Sequence, residues 1–246
     1  MQDAVYHQYA QTLETHWWAE HRRKLIERYL TQLGVKADGS HPVLEIGCGA
    51  GTEHAFLSSY GPVTGIEINE TGLSYCKERG YAQLIAGDLN EVHAPPGSVD
   101  LAVDFHVLYH AWVRDPAAVL ERMRDALKPG GHLVLTEPAY QALRRSHDDV
   151  VMAARRWNRR ELIELITSAG FEVQRCTGFL TLLIPAVLLS KLRDRLQPKA
   201  HDISELRPPN PFVDAVVRAM MALERGAIGL HSLPAGTCWA IVARRK

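Results

Sequence analysis

The stretch "VLEIGCGAGTEHAF", residues 43–56, runs from an apolar segment through three glycines at alternating positions into a helix-forming segment. Gly47, Gly49 and Gly51 permit backbone conformations that a side chain would forbid. A helix starting near Thr52 would offer unpaired N–H groups at its first turn. Such a turn lets the main chain approach a ligand closely. Alone it names neither ligand nor fold, so the flanking pattern has to decide both.

Residues 41–47 have the continuous apolar character of a strand buried on both faces. Further strands are expected at 62–69, 82–89, 98–106, 132–138, 171–179 and 237–245. Helices are expected to end at Gly80 and to cover 117–131 and 158–171, the last with Asn158 and Glu161 spaced as a capping box. Residues 5–33 read as one helix closed by Gly34. This alternation predicts an α/β fold, a doubly wound, Rossmann-like seven-stranded sheet. Ligands of such sheets bind at the carboxyl ends of the strands, where the glycine turn lies. Residues 180–236 break the rhythm and are too long for a hairpin. With helical patterns at 186–196 and 211–225 and the Pro-rich "RPPNP" at 207–211, they read as an inserted helical cap. The expected parts are an N-terminal helical lid (1–40), a core (41–179 plus 237–246) and the cap (180–236).

The chain has 246 residues, 46% hydrophobic, with 28 basic and 28 acidic side chains. Zero net charge and no long basic block argue against a nucleic-acid partner, and the short "RRWNRR" run (155–160) reads as a solvated helix start. Cys48, Cys76, Cys176 and Cys238 fit no zinc spacing, so no metal is expected. With no signal-peptide pattern at the start, a cytoplasmic setting is expected. The apolar run 178–190, interrupted by Pro185, is too short to span a bilayer.

Glu67 ends the second strand, twenty positions after Gly47, where a carboxylate can accept both hydroxyls of a ribose. Asp88, after the third strand, can accept from an adenine amino group. An adenosine-type ligand follows, which fits NAD or S-adenosylmethionine. Against NAD, Thr52 stands where GxGxxG needs glycine, and Tyr140 is followed by Arg144 in place of a Tyr-x-x-x-Lys lysine.

"VLEIGCGAG", "GIEIN" (65–69), "AGDL" (86–89), "VDLAVDFHVLYH" (99–110) and "LKPGGHLVLTEP" (127–138) resemble the successive motifs of class I S-adenosylmethionine-dependent methyltransferases. Within them the chain resembles a bacterial small-molecule type, through "HWWAEHRR" (16–23), Ala139, Tyr140, His147 and Asp148, and "SELRPPNP" (204–211). The resemblance implies S-adenosylmethionine as cofactor, S-adenosylhomocysteine as product and no metal. It implies that Glu45 and Gly47 flank the methionine part, with Cys48, Gly49, Gly51 and Ile68 as further cofactor contacts. Glu67 would hold the ribose, Asp88 with Leu89 the adenine, and Phe105 with His106 the methionyl amino group. Leu108-Tyr109-His110 departs from the family's frequent acidic residue near that stretch and leaves the acceptor side open.

Methyl transfer is an in-line displacement, and a base is needed only if the acceptor must lose a proton. His106 and His110 suit that role by their titration range, and Glu137 and Tyr140 follow the fifth strand at the same edge. His147 and Asp148 can orient a substrate or cap a helix, and Trp157 can stack on a flat acceptor or fill the core. Trp17, Trp18 or Tyr9 are expected in a lid over the cofactor, Trp18 as a cofactor contact. Leu182, Leu183, Ile184, Leu188 and Leu189 give the cap an apolar surface that fits a small-molecule or lipid-like acceptor. Peripheral membrane contact, helped by "SKLRDRL" (190–196), or a homodimer through residues 180–225 would use the same side chains. Two other outcomes stay open: cyclisation or aminocarboxypropyl transfer from the same cofactor, and a non-catalytic protein that only binds it.

Overall fold

The structure, a computed structural model, describes residues 3–196 and 210–246. Seven strands form one sheet: β1 (Val43–Ile46), β2 (Val63–Glu67), β3 (Gln83–Ala86), β4 (Val99–Phe105), β5 (Leu127–Pro138), β6 (Phe171–Phe179) and β7 (Cys238–Arg245), in the order β3-β2-β1-β4-β5-β7-β6. β7 runs antiparallel to both β5 and β6, and the other neighbours are parallel. This is the doubly wound, Rossmann-like sheet that the alternation predicts.

Strand residues alternate between two apolar layers, which is why the central strands look continuously apolar. Leu44, Ile46, Ala102, Leu133, Leu135 and Ile241 face one layer. There the helices α5 (Pro116–Ala126) and α7 (Arg159–Ser168) contribute Leu120, Met123, Leu162 and Ile166. Val43, Leu101, Val103, Val134, Ala240 and Val242 face the other, with Leu25, Ile26 and Leu30. α7 begins as its sequence indicates, with Glu161 accepting from the Asn158 amide at 3.1 Å.

Three expectations change. Residues 5–33 are two helices, α1 (Asp3–Thr12) and α2 (Trp17–Gln32). His16 starts the second by accepting from the Trp18 amide at 3.3 Å. Apolar spacing persists across residues 13–16, so periodicity alone hides the turn. The helix after the glycines, α3 (His54–Leu57), has a single turn. After β6 come α8 (Ile184–Leu196) and α9 (Pro211–Leu230), and α9 lies along α2. Its Met221 and Ile228 join the second apolar layer. Buried Glu224 ties the two helices to the end of β6: it accepts from the Leu180 amide at 2.6 Å and the Leu182 amide at 3.1 Å, and lies 3.1 Å from His21 Nε2. Residues 204–209 of the expected cap motif, and with them most of "RPPNP", lie outside the described residues. No helix among the described residues is long and apolar enough to cross a membrane.

Candidate active site

The parallel register sets Ile46 beside Ile66, so the turn after β1 and Glu67 at the end of β2 come together. Gly47 and Gly49 have φ of 56° and 57°, a region that suits residues without a β-carbon. A β-carbon on Gly47 would lie 2.8 Å from Val107 Cγ2. The Gly49 amide donates to Glu67 Oε2 at 2.9 Å. Oε1 of the same carboxylate accepts from the Ile68 amide (3.0 Å), the Asn69 amide (2.9 Å) and the Tyr6 hydroxyl (3.1 Å). α1 thus reaches onto the carboxylate that shapes the turn.

A cavity of about 670 Å³ runs from this carboxylate in two directions. Towards β3 it is lined by Ile68, Asp88 and Leu89. Asp88 accepts from the Asn90 amide at 2.8 Å, and this bond holds its carboxyl below the usual range, with Arg114 adding to it. Towards β4 the cavity passes Glu45, Arg22, Glu53, Phe105 and His106. Arg22 Nη2 pairs with Glu53 Oε1 at 2.7 Å, both side chains being buried. The guanidinium lies 4.5 Å from the Trp18 ring centre and 4.3 Å from that of Phe105. Among the described residues, Arg22 Nε and Glu53 Oε2 have no hydrogen-bond partner although they are buried. Beyond His106 lie Tyr109, Asp148, Arg156, Thr237 and Cys238, with an apolar wall of Val151, Leu180, Leu183 and Val187.

Residues 44–135 match a family described as a methyltransferase domain. A probable S-adenosylmethionine-dependent methyltransferase of Mycolicibacterium smegmatis is 29% identical over 169 residues, which are 67% of this chain and 63% of that protein. A ubiquinone biosynthesis O-methyltransferase of Pseudomonas aeruginosa is 32% identical over 101 residues, 38% of this chain and 43% of that protein. The chain thus spans less than two thirds of either relative's length. An S-adenosylmethionine-dependent methyltransferase structure from Mesorhizobium loti superposes with a TM-score of 0.55 at 18% identity, covering 89% of this chain and 97% of that one, which shows the shared fold. Residues 44–135 thus match a methyltransferase domain, and the relatives and folds the chain resembles are those of class I S-adenosylmethionine-dependent methyltransferases.

The cofactor of this family is S-adenosylmethionine, and the residues present suit it. The cavity offers the Glu67 carboxylate at one point and, at another, a buried guanidinium and a second carboxylate, Arg22 and Glu53, with spare bonding capacity, which suits a ligand that carries hydroxyls, an ammonium and a carboxylate. Among the described residues, no group of three or more His, Cys, Asp or Glu side chains could hold a metal ion.

Of the residues expected from sequence, Trp18, Glu45, Gly47, Cys48, Gly49, Glu67, Ile68, Asp88, Leu89, Phe105 and His106 all line the cavity, as do Tyr9, Trp17, His147 and Asp148. Gly51 lies behind the turn, where a β-carbon would meet Arg79 and Tyr81 at 3.0 Å. His110 borders the cavity but is stacked on Trp112, ring centres 3.8 Å apart. Burial pushes its imidazole down to about 3, which keeps it neutral. Glu137 is fully buried and does not line the cavity. It accepts from Trp157 Nε1 at 2.8 Å and, together with Asp104, from the Val107 amide. Burial pushes both carboxyls up, Asp104 to about 7, so this pair fastens the turn after β4. Tyr140 points away, its hydroxyl donating to Pro234 O at 3.3 Å. Tyr6, Arg22, Glu53, Arg156 and Cys238 also line the cavity, and no sequence motif singles them out as a set. Arg22 alone had a local signal, one helical turn after Trp18 on the same face.

Glu45 accepts from the Tyr81 hydroxyl at 2.5 Å, and burial pushes its carboxyl up from 4.5 to about 8. A raised value means that the group's contribution to stability is present below pH 4.5 and is lost as pH rises towards 8. Glu45→Gln stays neutral throughout, so it is expected to gain about 3 kcal/mol on the natural protein between pH 5 and pH 8. Denaturant melts at the two pH values measure this, and an unchanged difference would refute it.

Proposed function

We propose that this protein transfers a methyl group from S-adenosylmethionine to O, N or C of a small, partly apolar acceptor, leaving S-adenosylhomocysteine. The observation that carries this is the continuity of one cavity, from Glu67 past the Arg22–Glu53 pair to the apolar wall around Leu183 and Val187. The cofactor supplies an electrophilic methyl group, whose bond to sulfur breaks with the electron pair staying on sulfur. Glu67 takes the ribose, Asp88 and Leu89 the adenine, and Arg22 and Glu53 the carboxylate and ammonium of the amino-acid end. α1 and α2 close over the cofactor as a lid through Tyr6, Trp17 and Trp18. The wall from β6 and α8 excludes water from the reacting atoms and selects an acceptor with an apolar body. A relative named for ubiquinone biosynthesis supports a lipid-like acceptor. The exposed Leu189, Phe212 and Leu223 on α8 and α9 are where a membrane surface or a second copy would make contact.

Calorimetric titration of S-adenosylhomocysteine, with NAD as control, tests the cofactor. Incubation with S-adenosylmethionine and pooled hydroxylated, amino and lipid acceptors then tests the transfer. S-adenosylhomocysteine released only with acceptor present supports it; methylthioadenosine as product would replace it with cyclisation or aminocarboxypropyl transfer.

A further inference from the structure

His106 stands just past β4 with φ of 64°, a conformation that a residue with a β-carbon keeps only when its surroundings hold it there. They do so here. Its amide donates to Thr136 O at 2.9 Å, and the next amide, of Val107, is gripped by Asp104 at 2.9 Å and Glu137 at 3.1 Å. The ring meets Trp18 edge-on, with centres 5.0 Å apart, and Tyr109 at 6.2 Å. Nδ1 is thereby set toward β5, and Nε2 toward Cys238 of β7.

The two ring nitrogens have unlike neighbours. Nδ1 lies 3.0 Å from Thr136 Oγ1 and 3.4 Å from Arg22 Nη1. A guanidinium has only N–H groups to offer, so the nitrogen facing it presents a lone pair, shared with the threonine hydroxyl. The proton of the neutral ring then sits on Nε2. That N–H is 3.5 Å from Cys238 Sγ, a weak acceptor, and both residues line the cavity.

We propose that His106 meets the methyl acceptor as a hydrogen-bond donor, its Nε2–H taking a lone pair of an acceptor oxygen, and that it does not remove the acceptor's proton. This rests on the methyltransferase reading and deepens it: the acceptor carries an oxygen beside an apolar body that lies along Leu180, Leu183 and Val187. The acceptor enters with that oxygen already ionised, its proton left in the solvent outside the cavity; the oxygen gains the methyl group, and the S–CH₃ electron pair stays on sulfur. The groups facing the ring agree. Burial, then Arg22 from α2, then His110 and Arg156, hold the imidazole well below the ordinary histidine range. Burial also pushes the Cys238 thiol up to about 11 and the Tyr109 hydroxyl well above its usual value, so neither takes a proton at neutral pH.

The test is long-range ¹H–¹⁵N spectroscopy of the intact chain labelled at histidine, from pH 5.5 to 8. His106→Asn assigns the signal, since asparagine tolerates the left-handed conformation. The expected pattern is protonation at Nε2 alone, without titration across the range, and persisting in Cys238→Ala because it is set from the Nδ1 side. Protonation at Nδ1, a titration within the range, or a changed tautomer in Cys238→Ala would each overturn the proposal. In any acceptor that turns over, His106→Leu should raise KM tenfold or more and leave the shape of the pH profile intact; loss of a limb would make His106 the base. S-adenosylhomocysteine added to a uniformly ¹⁵N-labelled sample separates the two readings. Unmoved Gly49 and Gly51 amide signals would remove the cofactor reading while leaving the tautomer result standing.

Discussion

Glu67→Ala is expected to weaken S-adenosylhomocysteine binding by about 100-fold or more, roughly 3 kcal/mol. Two losses add. The ribose loses its charged acceptor, and hydrogen bonds to ionised groups contribute about 1.5–3 kcal/mol each. The turn also loses the oxygen that receives the Gly49 amide, and the Ile68 and Asn69 amides lose theirs. Glu67→Gln separates these effects. Its single carbonyl oxygen can keep one set of amides but not both, so an intermediate loss is expected. Calorimetric titration of the three proteins, each checked for an unchanged thermal midpoint, measures this. An alanine variant that binds like the natural protein would take the ribose away from Glu67.

The largest expected effect on stability lies at the other end of the cavity. Arg156 Nε and Nη2 grip both oxygens of Asp148 at 2.7 and 3.0 Å, and Nη1 donates to Ala139 O at 3.1 Å. Both side chains are almost wholly buried. Arg156→Ala would leave a carboxylate in the interior without its countercharge, a change that typically costs about 3–5 kcal/mol. For a chain of this length the thermal midpoint should fall by about 10 °C. Arg156→Met combined with Asp148→Asn should recover most of that loss, because asparagine can still accept from the Arg145 amide that Asp148 Oδ2 receives at 2.8 Å. Equal melting of the single and double variants would show that the cost comes from packing and not from charge.

The parts of this molecule that sequence discloses are those written locally. β1 announces itself as a short apolar run because both of its faces are covered. The place of Glu67 beside the glycine turn is legible because parallel pairing ties the two together at a fixed spacing. The acceptor side is written at long range. Nothing near Glu137 says that Trp157 and Val107 will enclose it, and the surroundings of His106 come from Thr136, thirty residues later, and Cys238, in the last strand. Hence Glu137 and Tyr140, chosen for their place after β5, turn out to face inward and away from the cavity, whereas Arg156, inside what looks like a solvated basic run, lines it. The helices after β6 are legible from the length and apolar pattern of their segment, whereas the packing of α9 against α2 is not.

Glu67 offers about two lone-pair directions on each oxygen; Oε1 already meets three donors, the Ile68 and Asn69 amides and the Tyr6 hydroxyl, whereas Oε2 meets the Gly49 amide. A ribose held there would find one open direction on Oε2 and a crowded Oε1. A hydroxyl directed at Oε1 would have to displace a resident donor, and the two amides there belong to the start of the next helix. Tyr6 is the one donor that can be exchanged without unmaking the site. On the proposed reading, the N-terminal helix competes with the ribose for Oε1, and cofactor affinity includes the displacement of Tyr6.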